Sequence, residues 1–388
     1  MNFKSFLYTR YLLVILIIIF NSCSDDPENP VFERDKLISY EELTDFTQSE
    51  IDSKYNLTVA EYDVDIYKLV YKSTYKEQEV ELTGIILVPA SNQPLPFLNY
   101  NHATIFANED APSRLGEGLE AGDLFASTGF ITVMPDYPGF GDPPLFPPPY
   151  LVAEAYVAPA VDMLVAAQEF CQEQGITTVP ELYLCGYSEG GLATASVSRS
   201  LEQNNPTGLV LNGISIGGAP LDPADNLNFY LGLENLSSFQ VLVLARILAA
   251  NVDYFETLDY SEVFQSPYDQ IIANGLFNPE NSLFEVSQQL PANIEELLLE
   301  SFVTRLMDTS SDVWQTINKS SLMDWDPVTI VQVTHGTDDQ IVPITNSINF
   351  LAQSNGGMVS LLQIPGGGHE FTAQLWALNT LANVLQVE

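Results

Sequence analysis

The chain has 388 residues, enough for one large domain or two modest ones, and 46% of them are hydrophobic, ample for a packed core. Asp and Glu number 51 against 13 Lys and Arg, a formal charge of −38. Such a field repels phosphate backbones and anionic headgroups, which excludes nucleic acid as a natural partner; otherwise the acidity bears on solubility rather than mechanism.

Residues 1–22 read as a targeting segment outside the fold. Lys4 and Arg10 make a positive end, and Tyr11 to Phe20 is an apolar run too short to span a bilayer comfortably. The run ends at Phe20-Asn-Ser-Cys23. A small residue followed by Cys resembles a bacterial lipoprotein signal, which implies cleavage before Cys23 and lipid on its thiol. Ser24-Asp25-Asp26 resembles the export signal of surface lipoproteins in the Bacteroidetes group. The resemblance implies a cell-envelope, outer-membrane lipoprotein exposed at the surface, held to the membrane by the lipid anchor only; an ordinary secretory peptide gives a secreted protein instead. Losing Lys4 and Arg10 takes the charge from −38 to −40. The remaining cysteines, Cys171 and Cys185, give no disulfide framework, have the wrong number and spacing for zinc, and read as small core residues.

Residues 24 to about 38 are polar with two prolines and read as a tether. Ser39-Tyr-Glu-Glu42 has the form of a capping box and predicts a short helix to about Lys54, so 23–60 is expected to be tether and short helix. Strands follow at Val64 to Tyr75 and Val80 to Pro89, with the polar Lys76-Glu-Gln-Glu79 as a hairpin turn, and then at Leu95 to Tyr100. The first pair is expected to be antiparallel, and the later strands alternate with helices. After the third strand comes Asn101-His102-Ala103-Thr104, where His102 reads as a hydrogen-bonder that orders the loop. Phe130 to Met134 is a buried strand ending in Pro135-Asp-Tyr-Pro-Gly-Phe-Gly141, a tight loop at the strand end where an open α/β sheet places its site. Asp136 reads as an N–H acceptor shaping that loop. A long helix from about Leu151 to Gln174 carries Asp162 inside its apolar stretch as a hydrogen-bonded packing residue.

The next strand, Leu182 to Cys185, runs into Gly186-Tyr-Ser188-Glu-Gly190 and out into a small-residue helix, Gly191 to Leu201. This is a G-x-S-x-G nucleophile elbow in its strand–turn–helix context. Strand and helix pack so closely there that side chains at 186 and 190 would collide, and the turn lifts the Ser188 hydroxyl clear of the sheet. Strand Leu209 to Ile216, the sixth, ends in Gly217-Gly218. From 221 to 326 the alternation stops and the pattern is helical, with Ser237-Ser-Phe-Gln240 capping Val241 to Val252 and Asn293-Ile-Glu-Glu296 capping Leu297 to Met307. About a hundred helical residues between two strands read as a cap that shapes an apolar acyl pocket and excludes water. The division expected is leader 1–22, tether and helix 23–60, core 61–220 with 327–388, and helical cap 221–326.

The strand pattern resumes at Val328 to Val333, which ends in His335-Gly-Thr-Asp338-Asp339-Gln-Ile-Val-Pro343, and again at Met358 to Ile364, which ends in Pro365-Gly-Gly-Gly-His369. An acid and a histidine thus sit at strand tips, in the order Ser, Asp, His. Of the three histidines, His102 precedes the elbow and His335 is too close to the acid to be its partner, which leaves His369 as base. Asp338 and Asp339 compete for the acid.

These motifs together resemble the α/β-hydrolase superfamily, and the combination of Asn101-His-Ala-Thr104, the Pro135–Gly141 loop, Gly-Tyr-Ser-Glu-Gly190, a helical cap after the sixth strand and His335-Gly-Thr-Asp-Asp339 resembles its secretory-lipase branch, from about residue 60 onward. The resemblance implies a mostly parallel sheet flanked by helices. It implies a serine hydrolase of carboxylic esters, an esterase or lipase acting on a small-molecule ester or lipid without metal or organic cofactor. The G-x-x-D-x-x-V-P pattern of prolyl-oligopeptidase and esterase relatives places the acid at Asp339, with Asp338 a solvated or capping neighbour. The implied catalytic set is Ser188, His369 and Asp339, with the backbone N–H groups of Ala103 and Glu189 as oxyanion donors; family members commonly have Gly where this chain has Ala103. Two other readings share the chain: a serine peptidase, against which stands the lack of room for a β-propeller before residue 60, and a non-catalytic binding lipoprotein, which has no need of Ser188, Asp339 and His369 in that order.

Overall fold

The computed structural model describes residues 34–142 and 144–386. The leader, Cys23 and the first part of the tether lie outside the described residues. In chain order the elements are β1 (Leu37–Phe46), α1 (Gln48–Tyr55), β2 (Val64–Tyr75), β3 (Gln78–Pro89), β4 (Leu95–Asn101), α2 (Gly122–Ser127), β5 (Ile131–Pro135), α3 (Val157–Gln174), β6 (Thr178–Tyr187), α4 (Glu189–Gln203) and β7 (Val210–Gly217). A helical insertion follows: α5 (Pro223–Leu231), α6 (Ser238–Phe255), α7 (Tyr260–Val263), α8 (Tyr268–Ala273), α9 (Leu283–Ser287), α10 (Ile294–Leu297), α11 (Glu300–Leu306) and α12 (Asp312–Ile317). The chain closes with β8 (Val331–Gly336), α13 (Thr345–Gln353), β9 (Val359–Ile364) and α14 (His369–Asn379).

The nine strands form one sheet in the order β1-β2-β3-β5-β4-β6-β7-β8-β9. The first three strands pair antiparallel, and from β5 to β9 every neighbour is parallel. Parallel strands need crossover helices on both faces, and their side chains are then buried on both sides. Phe97 of β4 and Leu184 of β6 pack with Phe170 of α3 and Val197 of α4 on one face. Their neighbours Leu98 and Cys185 pack with Ile51 of α1, Phe125 of α2 and Trp376 of α14 on the other. Cys171 and Cys185 are both buried free thiols.

The structure corrects the sequence at two element boundaries. Ser39 to Glu42 form no cap: they lie inside β1, which pairs antiparallel with β2 from Leu37↔Tyr71 to Phe46↔Val64. The cap falls eight residues later, where Thr47 accepts the Glu50 N–H and the Glu50 carboxylate takes the Thr47 N–H in return. Residue types alone could not separate two S/T-x-x-E strings; partnership with β2 does. The extra strand makes the insertion follow the seventh strand of the sheet, the sixth of those expected. In the insertion, Ser237 and Gln240 do form the capping box of α6. Asn293 caps only the four-residue α10, because Leu298 leaves the helix to bridge Phe264, and α11 starts afresh.

The insertion shares its core with the sheet. Val241, Leu244 and Ile247 of α6 cluster with Tyr230 of α5, Leu192 of α4 and Ile216 of β7. Arg246, 2% exposed, donates to the Ile105 carbonyl at 2.8 Å and lies between the Phe106 and Tyr150 rings, 4.4 Å from each centroid. A buried guanidinium with a carbonyl and two ring faces pins the insertion to the loop after β4.

Candidate active site

Ser188 stands between β6 and α4 with φ 56 and ψ −122, a strained conformation for a residue with a side chain. Its N–H is tied to the Gly217 carbonyl at 2.8 Å. The glycines on either side have steric causes: a Cβ at 186 would sit 2.1 Å from the Gly190 carbonyl oxygen, and one at 190 would sit 2.0 Å from that of Asn101. Helix α4 is thus pressed against the end of β4, which brings the loop after β4 over the helix N-terminus.

His369 is the first residue of α14 and its carbonyl accepts the Tyr187 hydroxyl at 2.6 Å. Its Nε2 lies 2.8 Å from Ser188 Oγ and its Nδ1 lies 2.7 Å from Asp339 Oδ2. Asp339, in the turn after β8, spends its other oxygen on the backbone: Oδ1 accepts the N–H groups of Ile341 and Val342, both at 2.9 Å. Burial alone would raise the Asp339 carboxyl. The edge of the His335 ring, with Nε2 3.5 Å away, the hydrogen bond and charge of His369, and the Val342 N–H outweigh it and hold the group well below the usual carboxylate range. Asp338 is exposed and its carboxylate takes the Thr337 hydroxyl, so of the two competing acids it is Asp339 that meets His369.

The other two histidines are buried braces. His335 donates Nε2–H to the Val342 carbonyl at 2.9 Å and accepts the Ser347 hydroxyl at Nδ1. His102 donates Nδ1–H to its neighbour Ala103's carbonyl at 2.7 Å and stacks on Tyr137. Burial drives the His102 pKa down to about 4, against the pull of its two carbonyl contacts, so the ring is neutral at pH 7. Asp136 accepts the Ser113 N–H and the Thr83 hydroxyl, and Asp162 accepts the Ser73 hydroxyl and pairs with Lys36.

The expected donor Ala103 is already engaged: its N–H donates to Glu120 Oε1 at 2.9 Å. Among the described residues the N–H groups of Thr104 and Glu189 donate to no protein group. The Thr104 hydroxyl lies 3.1 Å from that of Tyr150 and close enough to the Glu189 carboxyl to favour its charged form, which puts Thr104 near the residue after Ser188. The Glu189 side chain turns inward to accept the Tyr156 hydroxyl at 2.7 Å. Glu120, Thr104 and Arg246 are the residues that sequence reasoning missed. Glu120 (φ 44) and Arg246 meet the loop after β4 from 17 and 141 residues away, with no local motif to announce them. No group of three or more His, Cys, Asp or Glu suited to a metal occurs among the described residues.

A nine-stranded, mostly parallel sheet flanked by helices, with a serine on the elbow after β6, defines an α/β-hydrolase. The sequence matches the secretory lipase family model over residues 124–363. The chain belongs to the secretory lipase family, and with it to the hydrolases of ester bonds. The structure is similar to that of a hydrolase from Legionella pneumophila, 23% identical, with a TM-score of 0.83 over 91% of this chain and 98% of that one. It is similar to the rice cell wall degrading esterase LipA of Xanthomonas oryzae, 20% identical, with a TM-score of 0.81 over 90% of this chain and 98% of that one. Candida antarctica lipase A in its closed state is more distant, 16% identical, with a TM-score of 0.64 over 89% of this chain and 81% of that one. No curated protein matches the sequence.

Proposed function

We propose that the protein is a serine carboxylesterase or lipase working through a Ser188–His369–Asp339 acyl-enzyme mechanism. The observation that carries this reading is the unbroken chain from Ser188 Oγ through His369 to Asp339, with contacts of 2.8 and 2.7 Å. His369 takes the Ser188 proton as the hydroxyl attacks the ester carbonyl. Asp339 keeps the imidazole in the tautomer with Nδ1–H and stabilises its charged form. The N–H groups of Glu189 and Thr104 hold the oxyanion, while the Ala103 N–H anchors the loop through Glu120; each such donor contributes about 2.7–4 kcal/mol in comparable sites. His369 protonates the departing alcohol, and water then releases the acid. The insertion between β7 and β8 acts as a cap that shapes the acyl side of the site. Cys23 carries a lipid that anchors the chain at the outer-membrane surface.

Hydrolysis of short- and long-chain nitrophenyl esters, run beside Ser188→Ala and with fluorophosphonate labelling, tests the reading. Turnover and labelling lost in the variant support it. Folded wild-type protein that neither turns over esters nor takes the label refutes it and favours a binding lipoprotein; label without ester turnover redirects the search to peptides.

A further inference from the structure

A groove of about 590 Å³ opens on the sheet face opposite α3 and α4, between α1, α2 and α14. Its lining includes Ala103, in the loop after β4, and Tyr187, the residue before Ser188, together with Leu57, Leu124, Ala377 and Leu378; Ser188 and His369 lie just beyond it in sequence and do not line it. Two charged side chains line it, and both are engaged. Glu120 accepts the Ala103 N–H and the Tyr100 hydroxyl, and Lys54 pairs with Asp123 at 2.8 Å. What remains for a ligand is mainly apolar surface, with the Gln374 amide and the unpartnered Trp376 Nε1–H as its uncharged polar points, in a volume suited to a small molecule.

Its direction from the site follows from the base. His369 must give its Nε2 proton to the alcohol oxygen as the acyl–oxygen bond breaks, so the alcohol part of the ester lies on the His369 side. Ala373 and Ala377 follow His369 on α14 at one and two turns, on the same helix face, and both line the groove. The insertion approaches the same loop elsewhere, through Arg246 on the Ile105 carbonyl. Resting on the acyl-transfer reading above, we propose that the groove between α1, α2 and α14 is the leaving-group subsite and takes the apolar alcohol of the ester, leaving the acyl chain to the insertion side. The step balances simply: the serine oxygen forms the acyl bond, the alkoxide leaves with the proton from His369, and the free alcohol departs along the groove.

The test uses two ester series. Octanoate esters of methanol, butanol and octanol vary the alcohol; methyl esters of acetate, butyrate and octanoate vary the acid. In the wild type kcat/KM is expected to rise about tenfold or more from methyl to octyl octanoate, since each buried methylene is favourable. Ala377→Trp fills the groove and is expected to reduce that octyl-to-methyl ratio about tenfold while shifting the acyl-length ratio less than about twofold. Leu378→Asp, at a site 44% exposed and therefore tolerant of change, is expected to reduce the same ratio. An alcohol series that is flat in the wild type, or variants that lower both ratios alike, overturns the assignment. Absence of any ester turnover and of fluorophosphonate labelling overturns the acyl-transfer reading itself, a result distinct from a flat series.

Discussion

Glu120 Oε1 accepts the Ala103 N–H at 2.9 Å, so a carboxylate from the segment before α2 holds the loop after β4, which packs against the start of α4. The same side chain takes the Tyr100 hydroxyl, and the Glu120 carbonyl takes the hydroxyl of Tyr55 at 2.6 Å. Burial pushes the Glu120 pKa up to about 7, against the hydrogen bonds from Tyr100 and Ala103 and with a further push from Glu189. A carboxyl whose folded pKa lies above its unfolded one keeps its proton longer in the native state, so the native state binds more protons and stability falls as pH rises from about 4.5 to 7. Glu120→Gln removes that titration but keeps an acceptor for Ala103. Thermal unfolding across pH 4 to 8 should show the Gln variant gaining on the wild type by about 1 kcal/mol or more between the two ends. Glu120→Ala, which frees the loop, should lower kcat with little change in KM.

Asp339 divides its oxygens between backbone and imidazole, and that division predicts the effect of Asp339→Asn. The amide oxygen must stay on the Ile341 and Val342 N–H groups, which turns the NH2 toward His369 Nδ1. A donor there forces the wrong tautomer, with the proton on Nε2 facing Ser188. Ester turnover at pH 7 should fall about 10⁴-fold in kcat, with the fold retained by circular dichroism. Asp338→Asn, at an exposed side chain, should keep most of the wild-type rate.

Arg246 joins the insertion to the site loop through the Ile105 carbonyl and the Phe106 and Tyr150 rings. Arg246→Met keeps much of the volume and loses the charge. Urea unfolding should show a loss of about 2–4 kcal/mol, the sum expected for a buried charge-assisted hydrogen bond and two desolvated ring contacts. A loss under about 0.5 kcal/mol would mean the insertion holds its place by apolar packing alone.

Gly190 is a purely steric requirement, because its missing Cβ would lie 2.0 Å from the Asn101 oxygen. Gly190→Ala should destabilise by about 3 kcal/mol or more, beyond ordinary overpacking, since the obstacle is backbone and cannot rotate away. Its measure is the urea midpoint compared with Gly175→Ala, where nothing lies within 4 Å of the added carbon and only the φ of +69 resists the change.

Much of this architecture was legible because it is written locally. The elbow at Ser188 is five consecutive residues, and Asp339 and His369 each follow a strand within five residues, so pattern and order alone single them out. Choosing Asp339 over Asp338 took a family pattern in sequence and a 2.7 Å contact in space. β1 was hidden because Ser39 and Glu42 imitate a helix start, and only pairing with β2 reveals a strand. The engagement of the Ala103 N–H was not legible, because its partner Glu120 is brought in by the approach of α2's leading segment, not by anything near residue 103. The break at Leu298 was equally invisible, since its cause is a bridge to Phe264 in another part of the insertion.

His369 opens the helix that follows the last strand, 181 residues after Ser188, and Trp376 of that helix packs against Tyr187 beneath the nucleophile. A polypeptide made only as far as Ile364 therefore holds Ser188 and Asp339 but not the imidazole that joins them. The three-residue chain closes only when the last helix has been made and docked, so its assembly is tied to the final stage of folding.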